Sequence, residues 1–343
     1  MANFTRTPES FEQMVMHSQV APAWLATAGP CRDVVASTRC RLARNVARYP
    51  FPPALKPDEA REVSAKIAHA IHYAELTWQV SSPLSPPERD FLAHLRLVSP
   101  EFEGSKPGQA LWLDEARAVS VLVLEEDHLR IQSVLPGWCP EEAERHSRTV
   151  ERTLGATLDY AQTKELGHLT TSITNAGTGC RISGMFHLIG LAHTGRLASV
   201  LRAIAEQGVV VRGPFGEHSR AIGHAFQVSR IGLYDSAFAG AAAYLMTEEH
   251  AARASVQRTP LRNLVGQAIE FAVKSRELSY ADALRVLAWV RWGACEGLLT
   301  GDLGPHDIDA WLIELDVWSP PNTQRIGVRR AAWVRTKLEY ALA

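Results

Sequence analysis

The sequence predicts an α+β fold: an antiparallel β-sheet flanked by helices, followed by a small all-α domain. Three observations carry this. Up to about residue 256, short apolar runs of strand character alternate with amphipathic stretches and lie close enough together to form hairpins. From residue 257 onward every periodic stretch has the helical repeat. Hydrophobic residues make up 46% of the 343 and charged residues 21%, an ordinary globular balance for a chain of about two domains. The first domain is expected to span 1–256 and the second 257–343.

The elements follow in order. A short helix is expected around 11–17, before a Pro/Gly loop. DVVASTRCRLARNVARYPFPP (33–53) starts as a short strand and becomes an arginine-dense segment closed by prolines. KPDEAREVSAKIAHAIHYA (56–74) has acids in its first turn and a helical apolar repeat. After proline-rich SSPLSPPE a second short helix is expected over 87–97. Residues 109–137 read as a hairpin, with a turn at 114–117 and a long second strand. A long helix should cover 140–163. Residues 168–195 run from a strand through a Gly/Asn loop toward a helix. A helix over 196–207, strands over 208–213 and 224–232, and a helix over 239–255 complete the first domain. Helices over 259–275, 279–292, 306–316 and 323–341 make up the second.

Bulk properties exclude several classes. The net charge of -1 provides no global basic field for nucleic acid or a membrane surface. No stretch resembles a signal peptide or an apolar span of ~20 residues. Five scattered cysteines without a CxxC pair favour reduced thiols in a cytoplasmic setting and give no zinc spacing. Of the 36 basic residues only six are lysine, so the anion-binding potential rests on arginine, whose fork matches phosphate and carboxylate.

Four stretches could carry chemistry. VLVLEEDHLRIQSVLPG (121–137) interrupts an apolar run with acids, a histidine and an arginine. Read as one strand, it puts Glu126, His128 and Arg130 on one face and Glu125 and Asp127 on the other. STRCRLAR (37–44) presents Arg39 and Arg41 on one side of an extended chain, about 7 Å apart, which suits adjacent phosphates. TNAGTGCRISG (174–184) pairs two glycines, which let backbone approach a ligand, with Arg181. VVVRGPFGEHS (209–219) delivers Arg212 and then Glu217 in a glycine-bounded loop. Arginines can hold a triphosphate, and two carboxylates can align a guanidinium and accept its proton. The Walker lysine and the HRD and DFG sets of protein kinases are missing.

In these stretches the chain resembles the ATP:guanidino phosphotransferases (phosphagen kinases), the family of arginine and creatine kinases. Within it the likeness is nearest to the bacterial protein-arginine kinases. STRCRLARN resembles the family's S-[ST]-R-x-R-x-x-R stretch, and LEEDHLRIQ its N-E-E-D-H-L-R-I. TSITNAGTGCR resembles C-P-[ST]-N-x-G-T-x-x-R, and VVRGPFGEHS the R-G-x-x-G-E loop. About 33 residues precede the first arginine stretch, as in the bacterial protein kinases and unlike the metabolite kinases with their larger N-terminal helical domain.

The resemblance implies that Arg39, Arg41, Arg130, Arg181 and Arg212 bind the phosphates of ATP. It implies that Glu126 and Glu217 hold and activate the acceptor guanidinium, with His128, Ser172 and Asn175 supporting the substrate site. It implies MgATP, with Mg²⁺ held by phosphates and water rather than by a dedicated set of protein ligands. The implied reaction makes phosphoarginine in proteins; free arginine, another small guanidino compound, or an adaptor role is the alternative. Arginine-bearing protein substrates, an activator protein and a homodimer are the implied partners. The chain departs from the family at Ser172 (cysteine there), Ile173 (proline) and Leu124 (asparagine). In the tail, Ile326 and Gly327 stand where the bacterial protein kinases carry an arginine–aspartate pair.

Overall fold

The computed structural model describes residues 22–26, 28–74, 76, 78–80, 84–85, 89, 92–93, 95–99, 102–213, 222–301, 303–315 and 325–342. The expected helix at 11–17 lies outside these residues, as do residues 87, 88, 90, 91 and 94 of the one at 87–97. The strands are β1 (Val35–Arg44), β2 (Trp78–Val80), β3 (Ala110–Leu113), β4 (Val119–Val123), β5 (Leu129–Pro136), β6 (Gln162–Thr163), β7 (Gly167–His168), β8 (Cys180–His187), β9 (Val210–Arg212) and β10 (Ala225–Ile231). Besides a single turn at Ala23–Ala26, the helices are α1 (Pro57–Ile71), α2 (Pro140–Gly155), α3 (Ile189–His193), α4 (Leu197–Ala205), α5 (Ser236–Ala254), α6 (Arg258–Lys274), α7 (Tyr280–Cys295), α8 (Pro305–Glu314) and α9 (Ile326–Leu342). Eight strands form one sheet in the order β2-β3-β4-β5-β1-β8-β10-β9, and β6 pairs with β7.

The chain divides into two compact units. The first comprises 1–26, 40–134 and 142–181; the second comprises 27–39, 135–141 and 182–343. β1, β5 and β8 each contribute residues to both. In the first unit, β2, β3, β4 and β5 pair antiparallel in sequence, with Leu111 opposite Leu122 and Val121 opposite Ile131. Val63, Ile67 and Ile71 of α1 are fully buried, as are Leu111, Leu122, Leu129 and Ile131 of the sheet. Each such aliphatic side chain contributes about 1.5–3 kcal/mol relative to exposure.

In the second unit all elements after β10 are helical. Their core is built on Leu261, Val265 and Ile269 of α6, Leu287 and Trp292 of α7, Trp311 of α8, and Val334 and Leu338 of α9. Buried ion pairs lie in this unit. Arg291 binds Asp309 at 2.7 Å, and Arg253 binds Glu249 at 2.7 Å. Glu249 also accepts the N–H groups of Gly190 and Leu191 at 2.8 and 2.9 Å.

Three expectations are corrected. Residues 109–137 form three strands, because the charged run 124–128 is a loop joining β4 to β5. α2 stops at Gly155 rather than 163: residues 162–168 turn into the β6–β7 hairpin. CRISGMFH is an eight-residue strand, β8, with Gly184 inside it. A Cβ at Gly184 would lie 2.8 Å from the Trp138 ring, so the glycine there serves packing rather than a turn.

Candidate active site

The loop between β4 and β5 is the centre of the first unit's polar cluster. Val123 pairs with Leu129, and Leu124 N–H donates to His128 O at 3.0 Å, closing a tight five-residue connection. Closure puts Leu124 at φ 55, a left-handed conformation in which non-glycine residues other than Asn and Asp are disfavoured. Its carbonyl accepts Gln109 Nε2 at 2.9 Å, and its side chain is buried. The family's asparagine suits this backbone better. The leucine trades that tolerance for apolar burial.

Because 124–128 is a loop, strand alternation does not sort its side chains. The expected common face of Glu126, His128 and Arg130 is not formed. His128 is buried: Nδ1 accepts Val46 N–H at 3.0 Å, which leaves Nε2–H to donate to Pro50 O at 3.0 Å. Burial holds the imidazole pKa below its ordinary value, so it is a neutral brace. Glu125 does not point away from Arg130. Arg130 Nη1 pairs with Glu125 at 2.7 Å and Nη2 with Glu126 at 3.3 Å. Glu125 is the buried partner and also accepts the Ser99 hydroxyl. Glu126 is 40% exposed. Partial burial raises its pKa most; Arg130 and Arg41 act in the opposite direction, while Asp127 and Glu125 add to the rise. Glu126 is thus an accessible carboxylate within electrostatic range of two arginines.

Asp127 joins three segments. Its Oδ1 accepts Asn45 Nδ2 and Thr171 N–H, both at 2.7 Å. Asn45 follows β1; its Oδ1 accepts His128 N–H at 2.8 Å, and its Nδ2 donates to Leu169 O at 3.1 Å. The end of β1, the β4–β5 loop and the loop before β8 are fixed to one another by these buried groups. Sequence reasoning assigned no role to Asn45 and none beyond support to Asp127. The available signal was a short polar side chain directly after a strand, where side-chain to backbone bonds are common.

Arg39 and Arg41 share the half-exposed side of β1, alternating with buried Thr38, Cys40 and Leu42, as expected. Arg41 belongs to the first unit and Arg39 to the second. Arg181 is half-buried at the start of β8, between buried Cys180 and Ile182. Gly179, expected to admit a ligand, has φ 57 and packs on protein. A Cβ there would meet Ala43 O at 2.6 Å and the Arg44 guanidinium at 2.3 Å. Ser172 precedes a 3₁₀ turn, Ile173–Asn175; its hydroxyl bonds the Thr174 hydroxyl at 2.8 Å, and its carbonyl accepts Asn175 N–H at 2.9 Å. Arg212 ends β9 in the second unit, opposite Gln227. Glu217 lies outside the described residues. Among the described residues no group of three or more His, Cys, Asp or Glu could hold a metal ion, and no helix is long and apolar enough to cross a membrane.

Residues 60–233 match the model of the ATP:guanido phosphotransferase C-terminal catalytic domain. The protein-arginine kinase of Moorella thermoacetica is 36% identical over 295 residues, covering 81% of this chain and 84% of that one. That of Caldanaerobacter subterraneus subsp. tengcongensis is 32% identical over 334 residues, covering 90% and 97%. The crystal structure of lombricine kinase shares the fold with a TM-score of 0.56 at 20% identity, covering 69% of this chain and 73% of that one. The duplicated taurocyamine kinase of Schistosoma mansoni does so with a TM-score of 0.52 at 23% identity, covering 69% and 37%. The chain therefore belongs to the ATP:guanido phosphotransferase family and is a phosphotransferase that acts on guanidino groups.

Proposed function

We propose that the protein is a protein-arginine kinase: it transfers the γ-phosphoryl group of ATP to arginine side chains of proteins, giving phosphoarginine and ADP. The observation that carries this reading is Glu126, an accessible carboxylate paired with Arg130 and within electrostatic range of Arg41. A carboxylate so placed can hold an acceptor guanidinium beside a phosphate bound by arginines. The curated relatives named above as protein-arginine kinases, matched over most of both chains, support a protein acceptor.

In this reading Arg39, Arg41, Arg130, Arg181 and Arg212 neutralise the triphosphate. Glu126 and Glu217 align the acceptor, and Glu217 takes its proton as the N–P bond forms and the bond to ADP breaks. His128 braces the loop that carries Glu126, while Ser172 and Asn175 form the neighbouring turn. The cation that accompanies ATP is Mg²⁺, which phosphate oxygens and water would ligate. A homodimer, an activator protein, a cytoplasmic setting and a domain boundary near 257 belong to the same proposal.

The test is incubation with MgATP and an unfolded arginine-containing protein, followed by mass spectrometry without acid, which would cleave the phosphoramidate. Phosphoarginine in the protein supports the proposal. Phosphorylation of free arginine alone, or of neither, contradicts it.

A further inference from the structure

Ile173 is 88% exposed and Leu166 is 61% exposed, the two most exposed large hydrophobic side chains among the described residues. Single exposed apolar residues are ordinary on protein surfaces. The position of these two sets them apart. Ile173 directly follows Ser172, and Thr171 is the residue whose N–H is fixed on Asp127, the chain neighbour of Glu126. The family pattern that this loop resembles has proline at the position of Ile173, so this chain departs from that pattern with an exposed aliphatic side chain.

The loop that presents it is internally bonded. Ala176 N–H donates to Ile173 O at 3.2 Å and Asn175 N–H to Ser172 O at 2.9 Å. The Thr170 hydroxyl donates to the same Ser172 carbonyl at 2.7 Å. Exposure of Ile173 is therefore built into the turn. Leu166 lies at the tip of the β6–β7 hairpin, its N–H on the Thr163 hydroxyl at 3.0 Å. That hairpin is stitched to the Ser172 loop by reciprocal His168–Gly177 backbone bonds of 2.8 and 3.0 Å. One hydrogen-bonded pair of loops thus carries both aliphatic side chains, and it is anchored beside Glu126.

A small guanidino compound has nothing to place on an aliphatic side chain outside the carboxylate cluster. A polypeptide acceptor does. Its residues advance about 3.3–3.6 Å each when extended, so side chains one to three positions from the acceptor arginine reach beyond the reacting group. Burying an aliphatic pair there is favourable, whereas a polar residue gains nothing.

We propose that Ile173, assisted by Leu166, determines acceptor specificity: it selects arginines flanked by an aliphatic residue, as exposed in an unfolded polypeptide. This deepens the protein-arginine kinase reading and rests on it. The test uses two peptides that differ only in whether leucine or serine flanks a single arginine. The native chain should phosphorylate the leucine peptide with a roughly 10-fold higher kcat/KM, expressed in KM. Ile173→Ser should bring the ratio to about 2-fold or less, leaving kcat on the serine peptide and KM for ATP unchanged. Ile173→Val should retain most of the preference. Equal rates on both peptides in the native chain, or a preference that survives Ile173→Ser, would overturn the inference. Phosphorylation of neither peptide would instead overturn the kinase reading itself.

Discussion

Asn45 and Asp127 are joined through Nδ2 and Oδ1 at 2.7 Å, and this buried bond ties the end of β1 to the loop that carries Glu126. Asn45 makes two further bonds, to His128 N–H and Leu169 O. Removing it leaves a buried carboxylate and two backbone groups short of partners. Asn45→Ala is predicted to cost about 2–4 kcal/mol, read from urea unfolding. A loss under about 0.5 kcal/mol would show that the network is not the brace described.

Glu126 gives a prediction with opposite signs for activity and stability. Burial raises its carboxyl pKa, so the folded chain binds a proton there more readily than the unfolded chain. Stability contributed by that proton is present at low pH and is lost as pH rises through the folded value. At neutral pH the charged group therefore opposes folding. Glu126→Gln should leave the denaturation midpoint at about pH 7.5 at or above that of the parent while lowering phosphoryl transfer by at least ~100-fold. Loss of activity with a fall in stability would mean that the carboxylate is structural.

Acid should destabilise the fold through its histidines. His128, His168, His187 and His224 all have pKa values lowered first by burial. They are neutral in the fold and take up protons on unfolding, starting near the ordinary value of 6.5. Stability is thus full above that value and falls as pH drops toward the folded values. Denaturation midpoints should decline from about pH 7 to about pH 5, and a flat profile would contradict the assignment.

Gly179→Ala should be much worse than an ordinary surface change. Its φ of 57 is left-handed, and the new Cβ would press on Ala43 O and the Arg44 guanidinium, which is paired with Glu151. A loss of about 2–4 kcal/mol is expected by thermal unfolding. Because Arg181, the second residue of β8, lies two positions on, KM for ATP should rise as well. A near-neutral variant would mean that the loop relaxes freely.

The sheet-plus-helix fold, the helical C-terminal region and the arginine side of β1 were legible in the sequence, because period-2 and period-3.6 patterns report burial directly. The β4–β5 turn was hidden for a physical reason. The loop 124–128 contains no Gly, Pro or Asn, and its left-handed position is filled by leucine, which carries no turn signal. Reading it as one strand misplaced His128 and Glu125, whose partners are set by loop closure. β8 was obscured by Gly184, present because Trp138 packs there. The Asp127 network joins residues 82 apart to Asn45 and 44 apart to Thr171, which no local pattern encodes.

The most direct measurement of the central claim is acid-free mass spectrometry of an unfolded arginine-containing protein after incubation with the chain and MgATP. A phosphoryl mass increment is expected on arginine residues and is lost with Glu126→Gln. ATP binding without any such increment would contradict it.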